Sequence, residues 1–233
     1  MDTTTARRNI LARIRAAQRR PEAVTESERA SVADYLARHP AGPRPLDEKH
    51  LRQDGLVPEF SEQALRLAST LDTVATFAEV PQAVARYLGG LALPPRCVVW
   101  DAVAPLDWRA AGIDAANRPP ARDVETDRTA RDLVGVTGCF CAIAETGSLM
   151  LLSGPDTPAS TALLPETHIA VVPVARIVPD LEAAFALMRA EQGQLPRATN
   201  IISGPSRTAD IEQNLVLGAH GPYRVHVILV QTA

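Results

Sequence analysis

"CAIAETGSLMLLSG", Cys141 to Gly154, carries a short apolar run into a longer one through a Glu-Thr-Gly turn. The second run, "GSLMLLS" (147–153), is apolar without polar alternation, and so is "HIAVVPV" (168–174). A strand that is apolar on both sides must be covered on both faces, as in a largely parallel sheet with helices above and below. The close succession of these two runs leaves no room for a crossover helix, so one antiparallel excursion is expected. Working outward, "TVATF" (73–77), "CVVW" (97–100), "TNIISG" (199–204) and "YRVHVILV" (223–230) have strand composition. Helices are expected from Ser61 in "SEQALRLAST", over "PQAVARYLGGL" (81–91), from Pro179 to about Glu191, and from about Ser206. Strands alternating with helices define an α/β class with a mostly parallel sheet.

The amino-terminal stretch is different. "ARRNILARIRAAQRR" (6–20) sets Ile10, Leu11 and Ile14 at helical spacing among six arginines, and Pro21 is expected to end the helix. It reads either as a membrane-surface or targeting helix or as an arm that docks on protein. Residues 39–58 are rich in proline, glycine and charge and read as a linker. The expected division is an extension over 1–60 and an α/β domain over 61–233, with a loop-rich passage near 101–130.

A hydrophobic fraction of 46% is enough for a core, and a net charge of -3 argues against nucleic acid as the main partner. No run approaches a membrane span and no signal peptide opens the chain. With three cysteines, an odd number, a reducing cytoplasmic setting is expected. "CFC" (139–141) has no second pair, and nothing in the spacing joins it to Cys97, His168 or His220, so no metal site is expected. Neither a Walker motif nor Gly-x-Gly-x-x-Gly is present, which leaves nucleotide binding without a fingerprint.

Three segments carry candidate chemistry. In "SGPSRTADIE" (203–212), Arg207 is a bidentate clamp for a carboxylate or phosphate beside a helix start, or Ser206, Thr208, Asp210 and Glu212 simply cap that helix. The loop follows a strand, where open α/β sheets bind ligands. In "GAHGP" (218–222), His220 is an acid/base or a structural turn residue; Gly218 suits a left-handed helix cap and Gly221-Pro222 a tight turn. Glu145 stands before a strand, where a carboxylate needs solvent or a partner, and Arg207 is the obvious one.

Taken together, "AIAETGSLML", "LLPETHIAVV", "IISGPSRTADIE" and "LGAHGPYRVHVILV" resemble the LUD domain family, and within it the lactate utilization C group. "PLDWRAAGI" (105–113) and "VGVTGCFCAIAETG" (134–147) fit the same pattern, so the resemblance covers nearly the whole chain, most strongly from about 131 to 230. It implies a Rossmann-like fold similar to the NagB/RpiA/CoA-transferase group. It further implies a part in oxidising L-lactate to pyruvate beside partner proteins that carry the iron–sulfur clusters, with no cofactor in this chain. The residues it marks are Glu145, Asp210 and His220 for chemistry. For a small carboxylate or phosphate it marks Thr146, Gly147, Ser203, Gly204, Ser206, Arg207, Thr208 and Gly221, with Gly218 and Pro222 in the same motif. On this reading the chain is an accessory subunit that does not oxidise lactate alone. Two other readings stay open: a CoA-transferase-like or isomerase-like enzyme using Glu145, and a non-catalytic scaffold.

Overall fold

A computed structural model describes residues 3–21, 23–40, 42, 55–121, 133–208, 216–218 and 220–232. The chain divides into two compact units, residues 1–45 and 46–233. In the first unit, α1 (Thr4–Ala17) stops short of Pro21, because the chain already turns at Gln18 and Arg19. A second helix, α2 (Glu26–Arg38), was not foreseen. Its start is nonetheless written in the sequence as Thr-x-x-Glu: the Thr25 hydroxyl accepts from Glu28 N–H, and the Glu28 carboxylate accepts from Thr25 N–H. No residue of either helix is buried.

The first described element of the second unit is α3 (Leu56–Arg66), which buries Leu56, Phe60 and Ala64 at four-residue intervals. Ser61 is therefore in mid-helix, not at its start, and its hydroxyl donates to the Val57 carbonyl one turn back. Then follow β1 (Thr70–Thr76), α4 (Val80–Gly90), β2 (Arg96–Val99) and β3 (Asp114–Ala116), the last lying inside the passage expected to be loop. The remainder runs β4 (Val134–Thr137), β5 (Cys141–Ile143), β6 (Ser148–Leu152), α5 (Ser160–Leu163), β7 (Thr167–Pro173), β8 (Ile177–Val178), α6 (Leu181–Gln192), β9 (Thr199–Ile202), β10 (Arg207–Thr208), β11 (Val216–Leu217) and β12 (Arg224–Thr232).

Six strands form one wholly parallel sheet in the order β1-β12-β7-β4-β2-β3. One face packs on α4: Ile169, Val171, Ile228 and Val230 meet Val80, Val84 and Leu88. The opposite face packs on α3 and on a second, four-stranded sheet, β8-β5-β6-β9. The antiparallel excursion is thus larger than expected, since β6 pairs antiparallel with both β5 and β9 and forms a layer of its own. Ala142, Leu149, Leu151 and Ile202 face the large sheet, while Cys141, Ile143 and Met150 face outward onto Ala184 of α6. The unbroken apolar run of "SLMLL" follows from this, because β6 is covered from both sides.

Candidate functional site

The Glu-Thr-Gly turn between β5 and β6 is held from two directions. Ala144 N–H and Glu145 N–H donate to the carbonyls of Val178 and Pro179, at 2.8 and 3.0 Å. Gly147 has φ of +62°, and a Cβ there would lie 2.4 Å from Ala64 N in α3. Only glycine fits that approach. Glu145 is half-buried and Thr146 exposed. One residue on, the Ser148 and Ser203 hydroxyls hydrogen-bond at 2.7 Å and tie the turn to the loop after β9. That loop presses on the same helix: a Cβ on Gly204 would lie 2.4 Å from the Leu67 carbonyl, and Arg207 Nη2 donates to that carbonyl at 3.1 Å. The Glu145 turn and the Ser203–Arg207 loop therefore converge on the carboxyl end of α3.

Arg207 itself is exposed and caps α3, where a cation suits the helix dipole; the Leu67 carbonyl, not Glu145, receives its hydrogen bond. Residues 207 and 208 form β10, antiparallel to β11, so Arg207 is in a strand; the rest of the segment expected to be helical, 209–215, lies outside the described residues. Asp210 lies outside the described residues. The strand before this loop, β9, belongs to the small antiparallel sheet, so the loop is not at the carboxyl ends of the parallel strands. Ser206 N–H donates to the Pro222 carbonyl at 2.8 Å, and Gly218 N–H to the Ser206 carbonyl at 2.9 Å. These bonds fix Ser206 to the loop that enters β12, at the amino edge of the large sheet. Gly218 has positive φ as expected, but it follows a strand. Gly221 lies close to Ser206, and His220 is exposed in the same loop.

The residues that sequence reasoning passed over sit just beyond. Tyr223 N–H and Arg224 N–H both donate to the Glu166 carbonyl, at 3.1 and 3.2 Å. Arg224 Nε donates to Thr167 Oγ1 at 2.8 Å, and its guanidinium lies 4.2 Å above the Tyr223 ring. Two residues along the same face of β12, His226 is buried and stacked on Tyr87 at 3.9 Å, with Nδ1 2.8 Å from the Thr70 hydroxyl. His168 is buried on the opposite face of β7, with Nε2 2.8 Å from Thr137 Oγ1. Burial pulls both imidazoles down to about 4, with Asp72 opposing the effect at His226, so both are neutral at neutral pH. The available signal was "YRVHV", in which polar residues recur every second position inside a buried central strand.

At the carboxyl edge, a recess of about 300 Å³ opens between the ends of β2 and β4, lined by Trp100, Gly138, Cys139, Gly154 and Thr157. Here neighbouring strands send their connections in opposite directions, β2 to β3 and β4 towards β7. Cys139 donates to the Cys141 carbonyl at 2.8 Å. Burial raises both thiols, that of Cys141 to about 11. Among the described residues no group of three or more His, Cys, Asp or Glu is placed to hold a metal ion, and no helix is long and apolar enough to cross a membrane.

Comparison with known proteins gives a consistent picture. The LUD domain family matches residues 102–230. The chain is similar to lactate utilization protein C of Bacillus subtilis, 31% identical over 189 residues, covering 76% of this chain and 79% of that protein. It is also similar to lactate utilization protein C of Bacillus licheniformis, 39% identical over 114 residues. That match spans about half the length of each protein, at 48%. Among solved structures, it resembles a DUF162 family protein from Deinococcus radiodurans with a TM-score of 0.55 and 27% identity, covering 77% of this chain and 99% of that one.

Proposed function

Because the chain belongs to the LUD domain family, we propose that it is an accessory subunit of an L-lactate utilization system that binds a small carboxylate at the amino edge of its large sheet. The observation that carries the reading is the similarity to lactate utilization protein C over 79% of the Bacillus subtilis protein's length. Oxidation of L-lactate to pyruvate releases two electrons and two protons. The electrons pass to iron–sulfur partner proteins, Glu145 or His220 receives one proton at this edge, and the other passes to solvent. Support comes from the way the Glu145 turn, Ser203 and Arg207 gather at the end of α3, with His220 in the adjoining loop.

The test is a tagged pull-down from lactate-grown cells, assayed for iron–sulfur proteins and lactate-dependent dye reduction. Cluster proteins and activity are expected to come down together. Glu145→Gln or His220→Ala should keep the assembly and lose most of the activity. A chain that comes down alone and inert would sink the lactate assignment, and thioester formation on Glu145 with CoA and an acyl donor becomes the next assay.

A further inference from the structure

We infer that the groove between α1 and α2 docks an acidic amphipathic helix of a partner protein. The inference concerns the first unit alone and does not depend on lactate or on an anion bound by the second unit. Helices of 14 and 13 residues are at the length where isolated helices are marginal in water and depend on packing one apolar face. Neither α1 nor α2 buries a residue. Even so, Ile10, Ile14, Val24, Val32, Tyr35 and Leu36 are between 46% and 60% exposed. Four of them, Ile14, Val24, Val32 and Leu36, line one groove of about 780 Å³ between the two helices, with Leu11 beside them. A contiguous apolar surface of this kind marks an interaction site.

Shape and charge decide what fits the groove. A channel between two helices seats a third, whose side chains at i, i+3, i+4 and i+7 enter it as a ridge. At 13 residues α2 is about 20 Å long, which matches three to four turns of such a helix. Arg15, Arg20 and Arg29 line the same groove, and among the described residues none of the three forms an ion pair. The one described acid in the lining, Glu28, is taken up by the cap of α2: its carboxylate accepts from the Thr25 N–H at 2.9 Å and from the Thr25 hydroxyl at 3.0 Å. The complement of this surface is an apolar stripe flanked by Asp or Glu. A second copy seated groove to groove would set these arginines against their own counterparts. A lipid surface suits the planar apolar face of a single helix and would leave a concave channel unfilled.

Fluorescence anisotropy of the full chain with two labelled peptides of about 18 residues tests this. Both peptides carry leucine at i, i+3, i+4 and i+7; the remaining positions are glutamate and alanine in one, lysine and alanine in the other. The glutamate peptide should bind at least ~10-fold more tightly than the lysine peptide, by a margin that added salt narrows. Val32→Ser/Leu36→Ser should weaken its binding by at least ~10-fold, and Arg15→Glu/Arg29→Glu should reverse the preference. Circular dichroism checks that the helices persist; if either variant loses them, Arg15→Gln/Arg29→Gln, which leaves the apolar residues intact, carries the test by abolishing the preference. Equal binding of the two peptides by the unaltered chain overturns the inference, because apolar contact alone would then account for it. Binding of neither peptide overturns it as well. In that case retention on phosphatidylglycerol vesicles assigns the groove to a lipid surface, and a dimer in sedimentation velocity that Val32→Ser/Leu36→Ser separates assigns it to a second copy.

Discussion

Acidifying the protein sets two buried imidazoles against the unfolded chain. His168 and His226 are 0% and 4% exposed, and each is pulled from its ordinary value of 6.5 down to about 4 by burial. Above pH 6.5 both the folded and the unfolded states hold neutral imidazole, and the stability is fully present. As pH falls, the unfolded imidazoles take up protons that the folded ones refuse, so stability is lost between about 6.5 and 4. At about pH 5 an unfolded imidazole favours its protonated form by roughly 30 to 1, which costs the fold ~2 kcal/mol per histidine and ~4 kcal/mol for the pair. Against a typical domain stability of about 5–15 kcal/mol that is a large fraction. Urea denaturation at about pH 7 and about pH 5 measures it, in the wild type and in a His168→Gln/His226→Gln double variant. Carboxylates titrate alike in both proteins, so the difference between them isolates the imidazoles. The double variant should be less stable at neutral pH but should lose less stability on acidification, by ~4 kcal/mol. An equal loss in the two proteins would refute the reasoning.

Two further outcomes follow from the packing. Gly147→Ala should destabilise by at least ~2 kcal/mol, because the added methyl meets backbone atoms of α3 in a left-handed conformation that alanine resists; denaturation midpoints at unchanged slope measure the cost, and a neutral substitution would show that α3 yields there. Cys141 should resist iodoacetamide near pH 7.5 in the folded protein and react once it is denatured, since its side chain is wholly buried; mass spectrometry follows the label, and rapid modification of native Cys141 would contradict the burial described.

The parallel sheet was readable because burial on both faces leaves a compositional trace that needs no partner to be recognised. "HIAVVPV" and "RVHVILV" are strands wherever they are placed, and α3 and α4 show their buried faces at helical spacing. What could not be read is what depends on the third dimension. Thr199–Ile202 has the same composition as a parallel strand, yet it pairs antiparallel with β6 in another layer, which reverses the edge of the molecule at which its loop emerges. At Arg207 the local signals misled in the same way: "GPSRT" reads as the run-up to a helix, yet pairing with Leu217 and Val216 places Arg207 and Thr208 in a strand.

A site assembled from residues at the ends of separate elements shows in sequence as motif, not as geometry, and motif favours the exposed arginine between Ser206 and Thr208. Arg224 and His226 left a fainter trace, polar residues at alternate positions of a strand that is apolar over the rest of 224–230. In the fold Nε of Arg224 donates to the Thr167 hydroxyl and its guanidinium stacks on Tyr223, while the loop arginine, Arg207, is taken up by a helix end, the Leu67 carbonyl. Both hydrogen-bond acceptors are far away in sequence, so motif alone could not show where either cation is engaged.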